Sequence, residues 1–345
     1  MTTVLPDIRQ AAEERELKHL APYAAKSLDA RREKAEEPCP FRTSFQRDRD
    51  RILHTKAFRR LAYKTQVFIN PVGDHYRNRL THTLEVSQIA RTLAHALNLN
   101  EDLTEAIALG HDLGHTPFGH SGERVLARLL PGGFTHQSQS LRIVEVLAKE
   151  GGLNLTAEVR DGIFKHSKGR GPVFVRDGSG PVTLEGCLVR VSDIIAYLAH
   201  DLDDALRAGL LSHDDIPRNL ADTFGPRGST RIRAMVGDLL ANSQPGGNHL
   251  ELSFSRKMES EMEELREFLY LRVYQHPSLT ESLNKADGII ESLWEKFITH
   301  PDCLWALIGS RPFSVEIAAG DFISGMTDRY AMTLHKDMFW PPSWR

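Results

Sequence analysis

Residues 80–98 have the sequence LTHTLEVSQIARTLAHALN, and this stretch decides the class of fold. Its apolar side chains recur with the spacing of one face of an α-helix. The stretch therefore predicts an amphipathic helix that buries one face in the core. The apolar residues of the stretch are Leu84, Val86, Ile89, Ala90, Leu93 and Leu97.

Helical patterns extend along most of the chain. The helical pattern continues through residues 101–115, and Pro117 interrupts it. Another helix is predicted to begin at Ser121, whose side chain is expected to cap its first turn. The exception is GPVFVRDGSGPVTLEG, residues 171–186, where two short β-prone runs flank a Gly/Ser turn and predict a small hairpin. The fold class is therefore mainly α. Further helices are predicted at residues 138–150, 156–166, 188–209, 256–274 and 280–298.

Composition limits the class of protein without indicating its chemistry. The 345 residues are 41% hydrophobic with a net charge of −3, and no apolar run approaches the roughly 20 residues of a membrane helix. The N-terminal stretch lacks the pattern of a signal peptide. Three separated cysteines indicate free thiols in a reducing compartment. We expect a cytoplasmic globular protein that binds no membrane, and whose main partner is not nucleic acid.

The stretch GHDLGHTPFGHSGE, residues 110–123, concentrates side chains that bind metals and transfer protons. An isolated His-Asp pair such as His111-Asp112 is common by chance. Here His82 lies near the start of another predicted helix, and Asp193 lies near the start of a third. The order H…HD…D on separate helices suits a divalent cation held by imidazoles and carboxylates together.

With these four residues in place, the sequence resembles the HD-domain phosphohydrolases, and more narrowly the deoxynucleoside triphosphate triphosphohydrolases of the dGTPase-like branch. The resemblance implies an HD-domain helical fold with a small β-hairpin insertion and a C-terminal helical region. The expected organisation is an N-terminal arm at 1–40, an HD core at 41–210 and a helical region at 211–345 packed on that core. The matching blocks are FQRDRDRILHTKAFRRLAYKTQVF, NRLTHTLEVSQIAR, LGHDLGHTPFGHSGE, RVSDIIAYLAHDLDDA and FISGMTDRYA.

By the same resemblance, one divalent metal ion (Mn, Mg, Fe, Co or Ni) binds in each active site. Its ligands would be His82, His111, Asp112 and Asp193. Two neutral imidazoles and two carboxylates balance a divalent charge and leave positions for water and a phosphate oxygen. His115 is expected in the pocket wall, in contact with substrate, with a fifth ligand position as the alternative.

His120 and Glu123 are the expected catalytic residues. Three residues apart at a helix start, Glu123 can orient the His120 ring and raise its basicity. The family reaction cleaves between the α-phosphorus and the 5′-oxygen and releases a deoxynucleoside and tripolyphosphate. An alkoxide is a poor leaving group, so a positioned acid should matter. His120 either protonates that oxygen or orients the attacking water; a histidine that only caps the turn is the structural alternative.

The expected substrate contacts come from several segments. Asp193, Tyr197 and Asp201 share one helical face, and the resemblance implies that matching residues touch the substrate. By the same resemblance, the tyrosine packs on the deoxyribose and bonds its 3′-hydroxyl, and Gln66 binds that hydroxyl as well. The triphosphate needs local cations, for which Arg79 is the first choice and Lys165 the second. Arg59 and Arg60 are weaker candidates for binding the triphosphate. Asp328 and Arg329 match the late motif of the family and are expected to be structural pairing partners.

Two other functions stay open. An HD phosphohydrolase of this kind can act on another nucleotide, such as a monophosphate or a cyclic dinucleotide. The basic stretch FQRDRDRILHTKAFRR also suggests weak single-stranded nucleic-acid binding or nucleotide sensing. The resemblance further implies a homo-oligomer, built from dimers as a tetramer or hexamer. Some relatives need a dNTP activator at a subunit interface, and the sequence leaves that open here, together with the preferred deoxynucleotide.

Overall fold

Helices account for most of the chain, as the sequence predicts. The structure is a computed structural model that describes residues 8–69, 76–167, 171, 173–175, 177–247, 249–309 and 312–341. Those residues contain sixteen α-helices and one two-stranded antiparallel sheet. None of the helices described is both long and apolar enough to span a membrane.

The first nine helices carry the HD motif residues. They are α1 Ile8–His19, α2 Ser44–Leu53, α3 Lys56–Arg60, α4 Arg79–Ala96, α5 Glu101–Gly110, α6 His120–Leu129, α7 His136–Arg142, α8 Ala157–Lys165 and α9 Leu184–Arg207. A π-helical turn, Ile143–Leu147, continues α7.

The remaining elements follow α9. They are α10 Arg218–Phe224, α11 Gly228–Asn242, β1 Gln244–Gly246, β2 His249–Glu251, α12 Arg256–Leu269, α13 Pro277–Thr299, α14 Pro301–Ile308, α15 Val315–Ser324 and α16 Asp328–Phe339. A second π-helical turn, Tyr270–Tyr274, continues α12.

Helix α4 lies at the centre of the larger apolar cluster, packed against α5 and α9. Asn78 caps its first turn by accepting from Thr81 N. Val86, Ile89 and Leu93 are buried as predicted, whereas Leu84 is 49% exposed and falls outside the buried face. A second apolar cluster joins α6 to α13, α15 and α16 and includes Phe118. The boundaries at residues 40 and 210 stay a prediction.

The small hairpin occurs at a different place from the one predicted. Strands β1 and β2 pair in antiparallel register, with Gly246 opposite His249 and Gly247 at φ +66° in the turn. The described part of 171–186 contains no strand, and residues 172 and 176 lie outside the described residues. The last residues of this segment instead form the first turn of α9. The Thr183 side chain caps that turn by accepting a hydrogen bond from Gly186 N. The Thr183 cap favours a helix at this end of the segment, and Gly178, at φ +82°, favours a turn before it.

Candidate active site

Three helices bring the four H…HD…D residues together. His82 comes from α4, His111 and Asp112 follow the end of α5, and Asp193 comes from α9. His82 Nε2 lies 3.0 Å from Asp193 Oδ1. His111 Nε2 lies 3.3 Å from Asp112 Oδ1 and 4.0 Å from Asp193 Oδ1. Adjacent residues on a helix diverge by about 100°, but the helix ends at Gly110, so both side chains of the pair turn to the same side.

The hydrogen bonds of His111 prepare it for a cation. Its Nδ1 lies 2.6 Å from Ala108 O and must donate to it, which leaves the lone pair on Nε2. That nitrogen is buried and has no hydrogen-bond partner within the described part of the chain. Ligand atoms of His82, His111 and Asp193 all lie within 4.8 Å of one another. This donor set fits a divalent ion held by imidazole and carboxylate.

The two carboxylates are held in the ionised form. Burial alone would raise the pKa of Asp193, but the hydrogen bond from His82 and the electrostatic interaction with the neighbouring His82 and His111 rings lower it to about 2. Burial likewise opposes ionisation of Asp112, yet His111, His115 and Arg79 hold its pKa well below the usual range. Ionised carboxylates are the form that binds a metal.

Arg79 and His115 surround Asp112. Arg79 Nη1 lies 2.9 Å from Asp112 Oδ2, and both side chains are buried. His115 Nε2 lies 3.1 Å from Asp112 Oδ1. The ring of His115 stacks on that of His136, with centroids 4.0 Å apart and planes 13° from parallel. Ligand atoms of Asp112, His115 and His136 lie within 4.8 Å of one another, but the nitrogen lone pairs of the two stacked rings lie in nearly parallel planes, an orientation that disfavours binding of one ion by both rings.

Glu123 faces two imidazoles rather than one. Its Oε2 lies 3.5 Å from Nδ1 of His120, whose side chain is 82% exposed. Its Oε1 lies 2.9 Å from Nδ1 of His136 and accepts from His136 N at 2.8 Å. Burial opposes ionisation of Glu123, but these histidines hold its pKa far below the usual range. His136 was not predicted as a site residue, since nothing in its spacing from Glu123 marks it.

A further buried histidine, His166, completes a chain of hydrogen bonds. Its Nδ1 lies 2.7 Å from Ile163 O and donates to it, so its Nε2 must accept. That atom lies 3.1 Å from His136 Nε2, which must therefore donate. His136 Nδ1 also faces a carboxylate, so both nitrogens of His136 carry protons in this arrangement. Burial, followed by the charges of His111 and His136, lowers the pKa of His166 to about 3, which matches its role as acceptor.

The start of α6 differs from the prediction. Gly119, at φ +61°, occupies the N-cap position instead of Ser121, and His120 is the first helical residue. Ser121 lies inside the first turn, where its hydroxyl donates to Asp287 of α13. The helix begins early because a glycine tolerates positive φ directly after Phe118.

The face of α9 beyond Asp193 carries Tyr197 and Asp201, as predicted from their spacing. Tyr274, on the turn after α12, donates its hydroxyl to Asp201 Oδ2 at 2.5 Å. Burial raises the pKa of Asp201 to about 6, although that hydrogen bond opposes the rise. Burial also raises the pKa of Tyr197. Tyr274 lies 73 residues from Asp201 in the chain, and nothing in the sequence indicates the contact.

The remaining predicted contacts differ in their surroundings. The Gln66 side chain is half-buried, and its Oε1 has no hydrogen-bond partner among the described residues. Lys165 pairs with Asp161 at 2.7 Å and lines a cavity of about 1470 Å³. Arg59 and Arg60 donate to backbone carbonyl groups, those of His54 and Gly325.

The basic segment near α2 is largely paired within the chain. Arg42 lies 2.8 Å from Asp50, and Arg51 lies 2.6 Å from Glu36. Arg49 contacts Asp102 of α5 at 3.2 Å. These pairs reduce the positive charge that the segment presents to a nucleic acid.

The chain is similar to several known proteins. Residues 79–198 match the HD domain family, and residues 252–337 match the phosphohydrolase-associated domain family. A deoxyguanosinetriphosphate triphosphohydrolase-like protein of Caldanaerobacter subterraneus is 51% identical over 341 residues, covering 98% of this chain and 97% of that protein. One of Desulfatibacillum aliphaticivorans is 49% identical over 345 residues, covering 97% of this chain and 98% of that protein. The crystal structure of a hypothetical protein from Aquifex aeolicus is 19% identical, covers 86% of this chain and 69% of that one, and gives a TM-score of 0.47. The two relatives, alike over nearly their whole length, and the HD match over α4 to α9 lead to one assignment: the chain belongs to the deoxyguanosinetriphosphate triphosphohydrolase-like family of HD-domain phosphohydrolases.

Proposed function

We propose that the protein is a metal-dependent hydrolase that converts deoxynucleoside 5′-triphosphates into deoxynucleosides and tripolyphosphate. One observation carries the proposal: the buried Nε2 of His111, which has no hydrogen-bond partner among the described residues, faces the carboxylates of Asp112 and Asp193, beside His82. The name of the relatives, a triphosphohydrolase-like protein for a deoxynucleotide, supports the substrate class.

His82, His111, Asp112 and Asp193 would hold one divalent ion. Such an ion, when bound, polarises a phosphoryl oxygen and lowers the pKa of a water ligand. Arg79 and His115 keep Asp112 in place through its two oxygens. Manganese, magnesium, iron, cobalt and nickel all suit this mixed donor set.

His120 would protonate the 5′-oxygen of the deoxynucleoside as the bond to the α-phosphorus breaks. Its Nδ1 faces Glu123, so its Nε2 is the atom turned to the substrate. The carboxylate would orient the ring, and the exposed position gives the ring access to a bound nucleotide. His136 supports the same carboxylate from the other side. A positioned acid contributes roughly 10²- to 10⁴-fold to such a step.

The sugar and the phosphates would contact different walls of the site. Tyr197 would pack on the deoxyribose and leave no room for a 2′-hydroxyl, while Gln66 and Asp201 would bind near the 3′-hydroxyl. Arg79, His115 and Lys165 would face the triphosphate.

Higher organisation belongs to the same proposal. We expect an HD core at 41–210, with an N-terminal arm and a C-terminal region packed on it, and a cytoplasmic homo-oligomer built from dimers. A dNTP activator at a subunit interface would make activity depend on mixed substrates.

The test is an activity screen of the full chain with each metal, over the four dNTPs singly and in mixtures. Products are separated by chromatography. Tripolyphosphate together with a deoxynucleoside is the expected result, and Asp193→Asn should abolish it. Orthophosphate as product, or turnover confined to a monophosphate or cyclic dinucleotide, would favour another HD activity. Strand binding retained by an inactive variant would favour the nucleic-acid alternative.

A further inference from the structure

Asp328, the first residue of α16, lies far from the H…HD…D residues in the chain but joins two segments beside them. Its Oδ2 accepts from Thr65 N at 2.8 Å and also from the Thr65 hydroxyl. Its Oδ1 accepts from Phe118 N at 2.9 Å. The side chain is only 8% exposed, and three donors satisfy the buried carboxylate in the way that burial of a charge requires.

Lys64 makes a second connection between the same regions. Its ammonium group is buried and donates to the carbonyl oxygen of His115 and, at 2.9 Å, to that of Ser324 at the end of α15. The neighbouring residues Lys64 and Thr65 are thus linked to opposite ends of the turn 115–118, Lys64 directly and Thr65 through Asp328. They also bond to α15 and α16, which lie in the region that matches the phosphohydrolase-associated domain.

The segment held in this way sets the direction of α6. Phe118 and Gly119 both have φ of +61°, a conformation that costs a non-glycine residue roughly 1 kcal/mol or more. The Phe118 N–H is the group that Asp328 binds, so that bond favours the strained turn. A Cβ on Gly119 would lie 3.5 Å from the carbonyl oxygen atoms of Thr65 and Gln66. The turn therefore packs on the segment that carries Gln66, and His120 follows directly.

We propose that Asp328 and Lys64 are positioning residues, through which the C-terminal region fixes His120 and Gln66 relative to the metal ligands. The inference rests on the proposed function, because it assigns them an effect on a reaction that His120 assists. It also gives the phosphohydrolase-associated region a structural role, since its helices hold the turn that starts α6. Within the described part of the chain, neither residue forms a hydrogen bond or an ion pair with the four proposed ligands, so we expect the metal content to be retained when either is replaced.

The first measurement compares Asp328→Asn with wild type in the full chain. Asparagine keeps the size of the side chain, but its NH₂ group cannot accept a hydrogen bond. It would therefore face either the donors of Thr65 or the N–H of Phe118 without bonding to them. We expect kcat to fall roughly 10- to 100-fold, as small misplacements of catalytic groups do, with unchanged metal content. Lys64→Met should lower kcat in the same direction. Asp337→Asn, at an exposed position on the same helix, is the matched control and should behave as wild type.

A double-mutant cycle separates positioning from general stability. Asp328 is proposed to act through both His120 and Gln66, so the second background is the double variant His120→Ala/Gln66→Ala. Adding Asp328→Asn to that background should cost far less activity than it costs the wild type. Equal losses in both backgrounds would overturn the proposal, as would a kcat loss accompanied by reduced metal content.

Hydrogen exchange gives a readout that does not depend on the substrate. The amides of 115–120 should exchange faster in Asp328→Asn than in wild type, while the amides of α4 stay protected. This result would stand even if the enzyme acted on a different nucleotide, so the two proposals can fail separately. Unchanged exchange at 115–120 would refute the positioning role.

Discussion

Glu123 binds the backbone N–H of His136 at 2.8 Å and its Nδ1 at 2.9 Å, so one carboxylate fixes both the backbone and the ring of that histidine. The same carboxylate lies 3.5 Å from Nδ1 of His120. Two imidazoles on different helices therefore share one negative charge. The orientation of both rings therefore depends on Glu123.

Glu123→Gln tests this relationship. The amide keeps the shape but removes the charge, and its N–H₂ group cannot accept from either ring. We expect kcat to fall roughly 10²- to 10⁴-fold with normal metal content. Steady-state kinetics and elemental analysis of the same preparation measure both. Glu291→Gln, on the exposed face of α13, is the control. If Glu123→Gln were nearly as active as wild type, the charge of Glu123 would not be needed for catalysis.

Asp193→Asn tests the metal centre. The amide cannot supply an anionic oxygen beside His82 Nε2, so we expect the bound metal to fall below roughly a tenth of a site and activity to fall with it. Metal content by elemental analysis is the primary readout. His95→Ala, whose exposed side chain pairs with Glu101 on the surface, should retain the full metal content. Stoichiometric metal in Asp193→Asn would contradict the proposed ligand set.

Removal of the metal should destabilise the fold. Without the ion, the like charges of Asp112 and Asp193 would lack a neutralising cation, and the charge of Asp112 acts to raise the pKa of Asp193. Metal at 100 times its dissociation constant should add about 2.7 kcal/mol to the free energy of unfolding. Thermal melts after chelation and after addition of manganese measure this shift. A melting temperature that does not respond at saturating metal would show that the ion does not bind the folded chain in preference to the unfolded one, and would contradict the proposed site.

Asp201→Asn should stabilise the protein at alkaline pH. The pKa of Asp201 is raised to about 6 in the folded protein, above the value of about 3.9 in an unfolded chain. Its stabilising contribution is therefore fully present below about pH 4 and is lost as the pH rises through about 6. Asparagine stays neutral and can still accept from Tyr274, so it should keep that contribution.

We expect the variant to gain roughly 2 to 3 kcal/mol at pH 8 and less at pH 5, from urea unfolding at both pH values. Asp222→Asn, at an exposed position on α10, is the control. An equal gain at both pH values would mean that the buried charge is not the cause.

Tyr197→Ala should weaken the discrimination between sugars. If the ring packs against carbon 2′, its removal makes room for a ribose hydroxyl. We expect the ratio of kcat/KM for dGTP over GTP to fall roughly 10-fold or more. Competition assays with both nucleotides measure the ratio, and Tyr63→Ala, which changes an exposed ring, is the comparison. An unchanged ratio in Tyr197→Ala would show that this tyrosine does not discriminate against the ribose 2′-hydroxyl.

Much of the structure follows from local pattern. The apolar spacing in 80–98 predicted α4, and the side chains of Val86, Ile89 and Leu93 are buried on the predicted face of that helix. Local pattern failed at two places. The β-prone run at 171–186 ended in a helix because Thr183 caps it, and Gly119 replaced Ser121 at the start of α6.

The sequence by itself determined the helical class, the family and the order of the residues His82, His111, Asp112 and Asp193, because period and motif are properties of neighbouring residues. Only the tertiary structure decided the partners of those residues. His136 beside Glu123, Tyr274 on Asp201, and Asp328 on Thr65 and Phe118 are contacts between distant segments. Such contacts depend on how whole helices pack, and the spacing of residues along one segment does not encode them.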